Sequence, residues 1–478
     1  MSEPAPVLLL FRQDLRLDDN PALRAAADSG RPVLCAFILD DEDGPWAWGG
    51  AARWWLHHSL QALADQLRQR GGGLVYGRGP LKRVLPELVA GTGCDTVFWN
   101  TRPEPHAAAR DEEAAALLGQ RGVRVRAHSA ALMIAPDALA TGQGKPYQVF
   151  TPYWKKFTAV PRVPQPLDAP GRLNAALPAA AASVARATCS LESLELLPTR
   201  NWDEGLREMW TPGAEAAKNL LRRFLNGPLE RYDTERDLPA IDGTSRLSPY
   251  LHWGEISPRR LWHVCHGRPG SGPWLRQLVW REFAHQMLHH FPHTTDRPLR
   301  AEFAAFPWDG DPQLLPAWQK GETGYPLVDA GMRQLWHTGW MHNRVRMVVA
   351  SFLVKHLLLP WQEGALWFWD TLVDASLANN TFGWQWTAGC GADASPYFRI
   401  FNPISQGRKF KAADYIRRWV PELRTLPDKL LHEPWAGSKA VLEQVGVRLG
   451  KDYPRPIVDH KEARQRALDS YQQMKSGS

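Results

Sequence analysis

Val7-Leu8-Leu9-Leu10-Phe11-Arg12-Gln13-Asp14-Leu15-Arg16-Leu17-Asp18-Asp19-Asn20-Pro21 is the stretch on which the fold turns. Val7–Leu10 is a short apolar run without polar alternation, the pattern of a strand buried on both faces. A polar turn, Arg12–Asn20, follows it. Asn20 then stands where a helix N-cap belongs. Pro21 takes the first helical position, where its missing N–H is no loss. The pattern repeats downstream. Pro32–Leu39 reads as a second buried strand, and Ala51–Arg70 as a helix that stops at Gly71-Gly72-Gly73. Leu74–Tyr76, Asp95–Trp99 and Val123–Ala127 read as strands, with Leu81–Ala90 and Pro105–Gln120 as helices between them. Five strands separated by helices predict an α/β domain over residues 1–133 with a doubly wound parallel five-stranded sheet. No G-x-G-x-x-G follows the first strand, so a dinucleotide site of that type is not indicated.

Residues 134–200 change character. Pro, Ala and short polar residues dominate, as in Val160–Pro170 and Leu177–Ala187, which predicts an interdomain linker crossing the surface. From Thr211 onward strand signals nearly vanish. Glu215–Leu225, Trp274–His290, Met332–Leu358 and Gly364–Leu377 carry helical spacing, which predicts an all-helical domain over residues 201–478.

Composition bounds the function. The 478 residues are 44% hydrophobic and 22% charged, an ordinary globular balance. The net charge of +7 favours an anionic partner without proving one. The five cysteines are odd in number, scattered, and form no C-x-x-C pair. A zinc site, an iron–sulfur cluster or a disulfide framework is not expected, and a reducing, cytoplasmic compartment fits. Val7–Phe11 is too short for a signal peptide or a membrane span. Of the 23 Trp, 17 lie after residue 200. Most of them should fill cores, and a minority suit stacking or redox roles.

Three patterns in the helical half carry chemistry. Asp242-Gly243-Thr244-Ser245-Arg246-Leu247-Ser248-Pro249 gathers hydroxyls and a guanidinium beside a Gly; it suits a pyrophosphate or, equally, a plain helix cap. Gly339–Met347 places Asn343 and Met347 on one helical face and Arg346 one turn after His342. It is either a polar site in an apolar helix or an amphipathic surface. Asp374–Trp386 has two Asn followed by two Trp flanking Gln385, which suits a loop along a planar ligand or a turn. Two basic stretches, Arg259 to Arg300 and Arg408 to Arg424, interleave with Trp274, Trp280 and Trp386 as a phosphate track beside stacking platforms would.

Taken together, these stretches resemble the photolyase/cryptochrome family over nearly the whole chain. Phe11–Pro21 is similar to its N-terminal signature. Thr244–Ser248, Trp280-Arg281-Glu282-Phe283, Trp340–Met347, Asn380–Trp386 and Ala394–Pro403 are similar to its flavin-domain signatures. Gly49–His58 resembles the bacterial class III branch more than class I. The resemblance implies an N-terminal antenna domain and a C-terminal helical FAD-binding catalytic domain. It implies light-driven repair of cyclobutane pyrimidine dimers in UV-damaged DNA, by a carbon–carbon lyase that acts as a monomer in the cytoplasm, without a metal. Reduced FAD would donate one electron to a dimer flipped out of the duplex, as photolyases among other enzymes do.

By position, the resemblance assigns Tyr232, Thr244, Ser245, Arg246, Leu247 and Ser248 to the FAD phosphates and ribitol. Arg346, Asp374, Ser376 and Asn380 fall to the isoalloxazine. Gln277, Trp280, Asn343, Met347 and Trp386 would receive the lesion, with Asn380 completing the catalytic set. Trp308, Trp361 and Trp384 match the electron relay. Arg236, Arg281, Arg344, Arg399 and Gln406 would touch the DNA backbone.

Departures from the family pattern bear on specificity. Gln277 stands where many dimer photolyases carry Glu, and Ser376 where Asp is frequent; the amide still bonds thymine but cannot donate a carboxyl proton. Asn380 argues against plant-type blue-light receptors, which carry Asp there. Asn343 argues against (6-4) photoproduct enzymes, which carry His. Aligning on Ala109-Arg110-Asp111 puts His106 and Ala107 where folate-binding class I enzymes carry an Asn-Glu pair, so that folate geometry is disfavoured. Trp46, Trp48, Trp54 and Trp55 offer another platform. Methenyltetrahydrofolate is the expected antenna there, ahead of 8-hydroxy-5-deazaflavin, unless these Trp simply pack the core.

Overall fold

The structure is a computed structural model that describes residues 4–40, 46–159, 162–175 and 187–476. Parts of the expected linker, 160–161 and 176–186, lie outside the described residues. Chain contacts divide the molecule into two compact units. The first comprises Met1–Asp203, Trp210–Asn226 and Ser245–Pro292, and the second comprises Glu204–Met209, Gly227–Thr244 and His293–Ser478. The units are interleaved in sequence, so contiguous stretches do not describe them.

In the first unit, β1 (Val7–Phe11), β2 (Val33–Leu39), β3 (Leu74–Arg78), β4 (Thr96–Thr101) and β5 (Arg124–Ser129) form one sheet in the order β3-β2-β1-β4-β5. Every pairing is parallel. The central strands β1 and β2 are wholly buried and were the plain apolar runs of the sequence. The edge strand β5, Arg124–Ser129, alternates charge and is largely exposed. Helices α1 (Pro21–Asp28), α2 (Gly50–Gln69), α3 (Leu81–Thr92) and α4 (Pro105–Gln120) connect the strands. Asn20 caps α1, its side-chain oxygen accepting from Leu23 N at 3.0 Å. Leu8, Leu10, Leu34, Val97 and Trp99 share one core with Leu85 and Leu88 of α3 and Leu118 of α4.

The polar turn after β1 is a buried knot. Arg16 is 1% exposed and donates to the carbonyls of Asp19 (2.7 and 3.2 Å), Gly254 (2.8 Å) and Ala130 (3.1 Å). Asp19, wholly buried, accepts from Arg259 Nε at 3.1 Å, Ser257 Oγ and Leu167 N. Asn100 of β4 ties Asp14 (2.5 Å) to Asn20 (2.7 Å). Gly254 sits at φ +66°, and a Cβ there would stand 2.1 Å from the Gln13 carbonyl, so only glycine lets these segments touch.

Four of the expected features differ in the structure. Residues 134–200 are not a featureless linker: α5 (Phe150–Ala159) buries Phe150, Tyr153 and Phe157 and packs on the helix Ser271–His290. Trp54 and Trp55 are core, 1% and 0% exposed, and Trp55 Nε1 donates to Glu255 Oε2 at 3.1 Å. A helix spacing kept from Met332 to Leu358 conceals a break, because Gly339, at φ +64°, ends the helix Pro326–Thr338. His342 then caps a new helix, Asn343–Ser351, and a π-helical turn, Phe352–His356, follows it. Likewise Gly364–Leu377 is split between Trp361–Thr371 and Leu377–Ala388, the second capped by Ser376. These helices belong to the second unit, whose described elements are all helical. Among the described residues no helix is long and apolar enough to cross a membrane.

Two outcomes follow from the buried polar groups. Arg16→Leu leaves the buried carbonyls of Asp19, Ala130 and Gly254 without their donor, so urea unfolding should show a loss of about 3–5 kcal/mol; a loss below about 1 kcal/mol would mean the knot is dispensable. Burial pushes the Glu255 carboxyl up to about 8, against the pull of Ser59 and Trp55. Folding therefore favours its acid form. That stabilisation is complete below the unfolded carboxyl's pKa of about 4.3 and is lost as the pH rises toward 8. Glu255→Gln keeps a neutral acceptor, so its urea midpoint should fall less than the parent's between about pH 5 and pH 8. Equal falls would place the titration elsewhere.

Candidate functional site

The second unit holds a guanidinium–carboxylate pair in an apolar helical setting. Arg346, on the helix Asn343–Ser351, donates from one terminal nitrogen to both oxygens of Asp374, at 2.9 and 3.1 Å, and from Nε to the Met341 carbonyl at 2.8 Å. The Asp374 side chain is 4% exposed. Asn380, also buried, sits one turn into the helix Leu377–Ala388 and donates to the Ala365 carbonyl at 2.9 Å. Its side-chain oxygen remains an acceptor. The Ser376 hydroxyl accepts from Asn379 Nδ2 at 2.9 Å and caps that helix, so its first duty is structural. The Asn379–Trp386 run is helical, neither loop nor turn. Gln385 turns away from ligand duty: it donates to the carbonyls of Thr294 and Arg297 and accepts from Leu299 N.

Asn343 is exposed at the first turn of its helix, and Met347 is half-buried one turn on. Trp386 is half-buried, whereas Trp361 and Trp384 are each 2% exposed. Trp384 lies edge-on to Phe368 at 5.0 Å and Trp318 at 6.2 Å. Trp308 is half-buried beside Phe306, with centroids 4.5 Å apart. Tyr232 is buried, with the Arg236 guanidinium 5.3 Å from its ring centroid. Arg399 is exposed and Gln406 half-buried on the helix Pro403–Lys409. Thr244 closes a segment of this unit, and Ser245 opens one of the first.

In the first unit, Ser245–Ser248 leads into the short helix Ser248–His252, with Arg246 at φ +51°. A non-glycine residue in the left-handed region stores strain, which is commonest at functional turns. Gln277 and Trp280 are half-buried on the helix Ser271–His290. Trp280 reveals a residue the sequence reading missed. Phe150 of α5 lies flat on its indole, centroids 3.7 Å apart and planes 8° from parallel. Arg276, one turn earlier, stands 5.2 Å from the Phe150 centroid. One indole face is thus capped, and a stacking partner can take only the other. The aromatic spacing Phe150, Tyr153, Trp154, Phe157 was the available signal, but it lay inside the supposed linker.

Arg281 does not sit as a backbone contact should. Its side chain is 14% exposed and pairs with Glu282 at 3.2 Å, and burial is the largest influence on its charge. Burial pushes Glu282 up to about 7, opposed by Arg281 and by the Met133 and Ile134 amides. The basic stretches are also less free than their counts implied. Arg259 is paired with Asp19, Arg260 with Asp18, Arg408 with Glu433 and Arg417 with Asp428. Apart from the last, these partners lie far along the chain, out of reach of a local charge count.

A cleft opens at the carboxyl ends of β1, β2 and β4, where strand order reverses and α/β sheets place ligands. Arg12, Asp40, Trp48, Arg102, Ala107 and Arg110 are among its lining. The Arg102 guanidinium stands 5.7 Å from the Trp48 ring centroid. Of the four Trp proposed as a platform, Trp48 is the one in this lining.

The chain is similar to known proteins over its full length. The family model "FAD binding domain of DNA photolyase" matches residues 274–473, and the model "DNA photolyase" matches residues 7–171. A deoxyribodipyrimidine photo-lyase of Agrobacterium fabrum is 47% identical, over 98% of this chain and 98% of that one. Cryptochrome-1 of Arabidopsis thaliana is 36% identical, over 98% of this chain and 70% of its own length. The crystal structure of a bacterial class III photolyase from Agrobacterium tumefaciens superposes with a TM-score of 0.95 at 46% identity, covering 100% of this chain and 99% of the other.

The two glycines of neighbouring helices should respond oppositely to alanine. A Cβ at Gly364 would stand 2.0 Å from Trp384 Cη2, so Gly364→Ala must push the indole or its helix aside. Unfolding should show a loss of about 1–3 kcal/mol. At Gly383 nothing lies within 4 Å of an added Cβ, so Gly383→Ala should be neutral or gain up to about 1 kcal/mol through helix propensity. Equal responses would contradict the Trp384 packing.

Proposed function

The chain belongs to the DNA photolyase/cryptochrome family, and from that premise we propose how its residues share the work of a deoxyribodipyrimidine photo-lyase, which splits cyclobutane pyrimidine dimers in UV-damaged DNA with blue light and FAD. The observation that carries the reading is the pairing of Arg346 with the buried carboxylate of Asp374, with Asn380 nearby in sequence on a separate helix. A guanidinium held by a carboxylate offers positive charge to an anionic ring at little net charge, and the Asn380 amide offers both a donor and an acceptor. That donor set fits a reduced flavin. Bound FAD supplies one-electron chemistry in its excited reduced form.

Arg346, Asp374 and Asn380 would hold the isoalloxazine, with Ser376 fixing the helix that presents Asn380. Tyr232 and Thr244–Ser248 would hold the phosphates and ribitol with hydroxyls, backbone N–H groups and Arg246. Trp280 would take a flipped base on its uncapped face, and Trp386 would supply a second aromatic wall. Asn343, Met347 and Gln277 would line the lesion site. Trp384, Trp361 and Trp308 would carry electrons inward to restore the reduced cofactor. Arg236, Arg344, Arg399 and Gln406 would bind the DNA backbone; Arg281, buried against Glu282, would instead brace the helix that carries Trp280. The antenna role would fall to the sheet of residues 1–133, residues 134–200 would connect it and also lend Phe150 to Trp280, and the catalytic chemistry would fall within residues 201–478. The antenna, methenyltetrahydrofolate rather than a deazaflavin, would use the switch-point cleft with Trp48 as its aromatic wall. The enzyme would act as a cytoplasmic monomer.

The test is direct. Purified, reduced, FAD-loaded protein illuminated with blue light on a dimer-containing oligonucleotide should restore the thymines. Trp384→Phe should block photoreduction of oxidised FAD yet leave repair by pre-reduced enzyme intact, because phenyl is harder to oxidise than indole. Binding of dimer DNA without light-driven repair would replace the enzyme reading with that of a receptor.

A further inference from the structure

Two of the arginines assigned to DNA stand beside one carboxylate. Arg344, in the first turn of the helix Asn343–Ser351, donates from Nε to Asp237 Oδ1 at 3.3 Å and from a terminal nitrogen to Oδ2 at 2.7 Å. This two-point fork is the geometry in which a guanidinium also binds a phosphate. Arg236 Nε lies 3.9 Å from the same Oδ1. The Phe410 ring backs Arg344, its centroid 4.4 Å from the guanidinium carbon. The Arg344 and Asp237 side chains are 20% and 31% exposed, so the pair is open to an anion arriving from solvent.

We propose that Asp237 is a built-in phosphate competitor: it occupies the recognition edge of Arg344 until a DNA phosphate displaces it, and so sets the strength of that backbone contact. The proposal rests on the reading of Arg344 as a DNA contact. Phe410 and Asp237 hold the guanidinium in one place before DNA arrives, so little ordering is left to do on binding. The carboxylate also opposes the phosphate by like charge. A cation that already has an internal counter-ion displaces fewer salt ions from DNA than a free one, which flattens the salt dependence of binding. Asp237 thereby trades affinity for a pre-set geometry, as rim charges at interfaces do.

The experiment compares FAD-loaded parent, Asp237→Asn, Asp237→Glu, Arg344→Ala and the double variant Asp237→Asn/Arg344→Ala. Binding to a duplex carrying one cyclobutane thymine dimer, and to the undamaged duplex, is read by fluorescence anisotropy across a KCl series. Asp237→Asn should bind roughly three- to tenfold tighter, with a salt slope steeper by up to about one. Asp237→Glu keeps the charge and should follow the parent. In the Arg344→Ala background the gain from Asp237→Asn should shrink to the like-charge part alone, so the two substitutions are non-additive, which a general loosening of the fold would not reproduce. If Arg344→Ala weakens binding but Asp237→Asn leaves affinity and slope unchanged, or weakens them, the competitor is refuted while Arg344 stands. If Arg344→Ala changes nothing, the assignment of Arg344 fails and the competitor with it. FAD absorbance of each variant reports that the fold is intact.

Discussion

The buried guanidinium of Arg16 is the constraint around which the first unit is arranged. It reaches carbonyls at residues 19, 130 and 254, three points that the chain visits more than a hundred residues apart. Asp19 completes the arrangement by accepting from Ser257 and Arg259. A charge so far from water is tolerable only when every donor is used. The end of β1, the region after β5 and the turn at Gly254 must therefore meet in one geometry, and Gly254 is the residue that lets the backbones approach. A motif that looks like a family label in sequence is, physically, a hydrogen-bond hub.

Counter-ions decide which arginines are available for function. Sequence counting presents two basic tracks, but Arg259, Arg260, Arg281, Arg408 and Arg417 are each matched by a carboxylate in the folded chain. Arg346 is matched too, by a nearly inaccessible Asp374, which suits a group that must stay put beside a charged cofactor. Arg344 differs from these in that its partner, Asp237, takes its guanidinium edge at two points while the Phe410 ring backs it.

Aromatic placement follows a similar division. Trp55 and Trp54 fill the space beneath α2, with the Trp55 indole nitrogen satisfied by Glu255. Trp384 is pressed against α-carbon rather than side chain at Gly364. Trp280 is neither buried nor free, since Phe150 covers one face and leaves the other for stacking. A half-capped ring has one orientation, which is what a surface for a flipped base requires.

Local burial patterns and capping chemistry, which operate within a few residues, are enough to specify the five-stranded parallel sheet, the Asn20 cap and the helical second half. The sequence also carried the family likeness, through motifs in a fixed order. The pairing of Arg346 with Asp374 was legible only through that likeness, since 28 residues and two helix breaks separate them. Two further breaks, at Gly339 and Ser376, are hidden in the sequence because apolar spacing continues across them. Which arginines remain accessible, which Trp are core, and that a supposed linker supplies Phe150 to Trp280 were decided by tertiary structure alone. Each depends on a partner brought from a distant part of the chain, and spacing along a sequence holds no record of such a meeting.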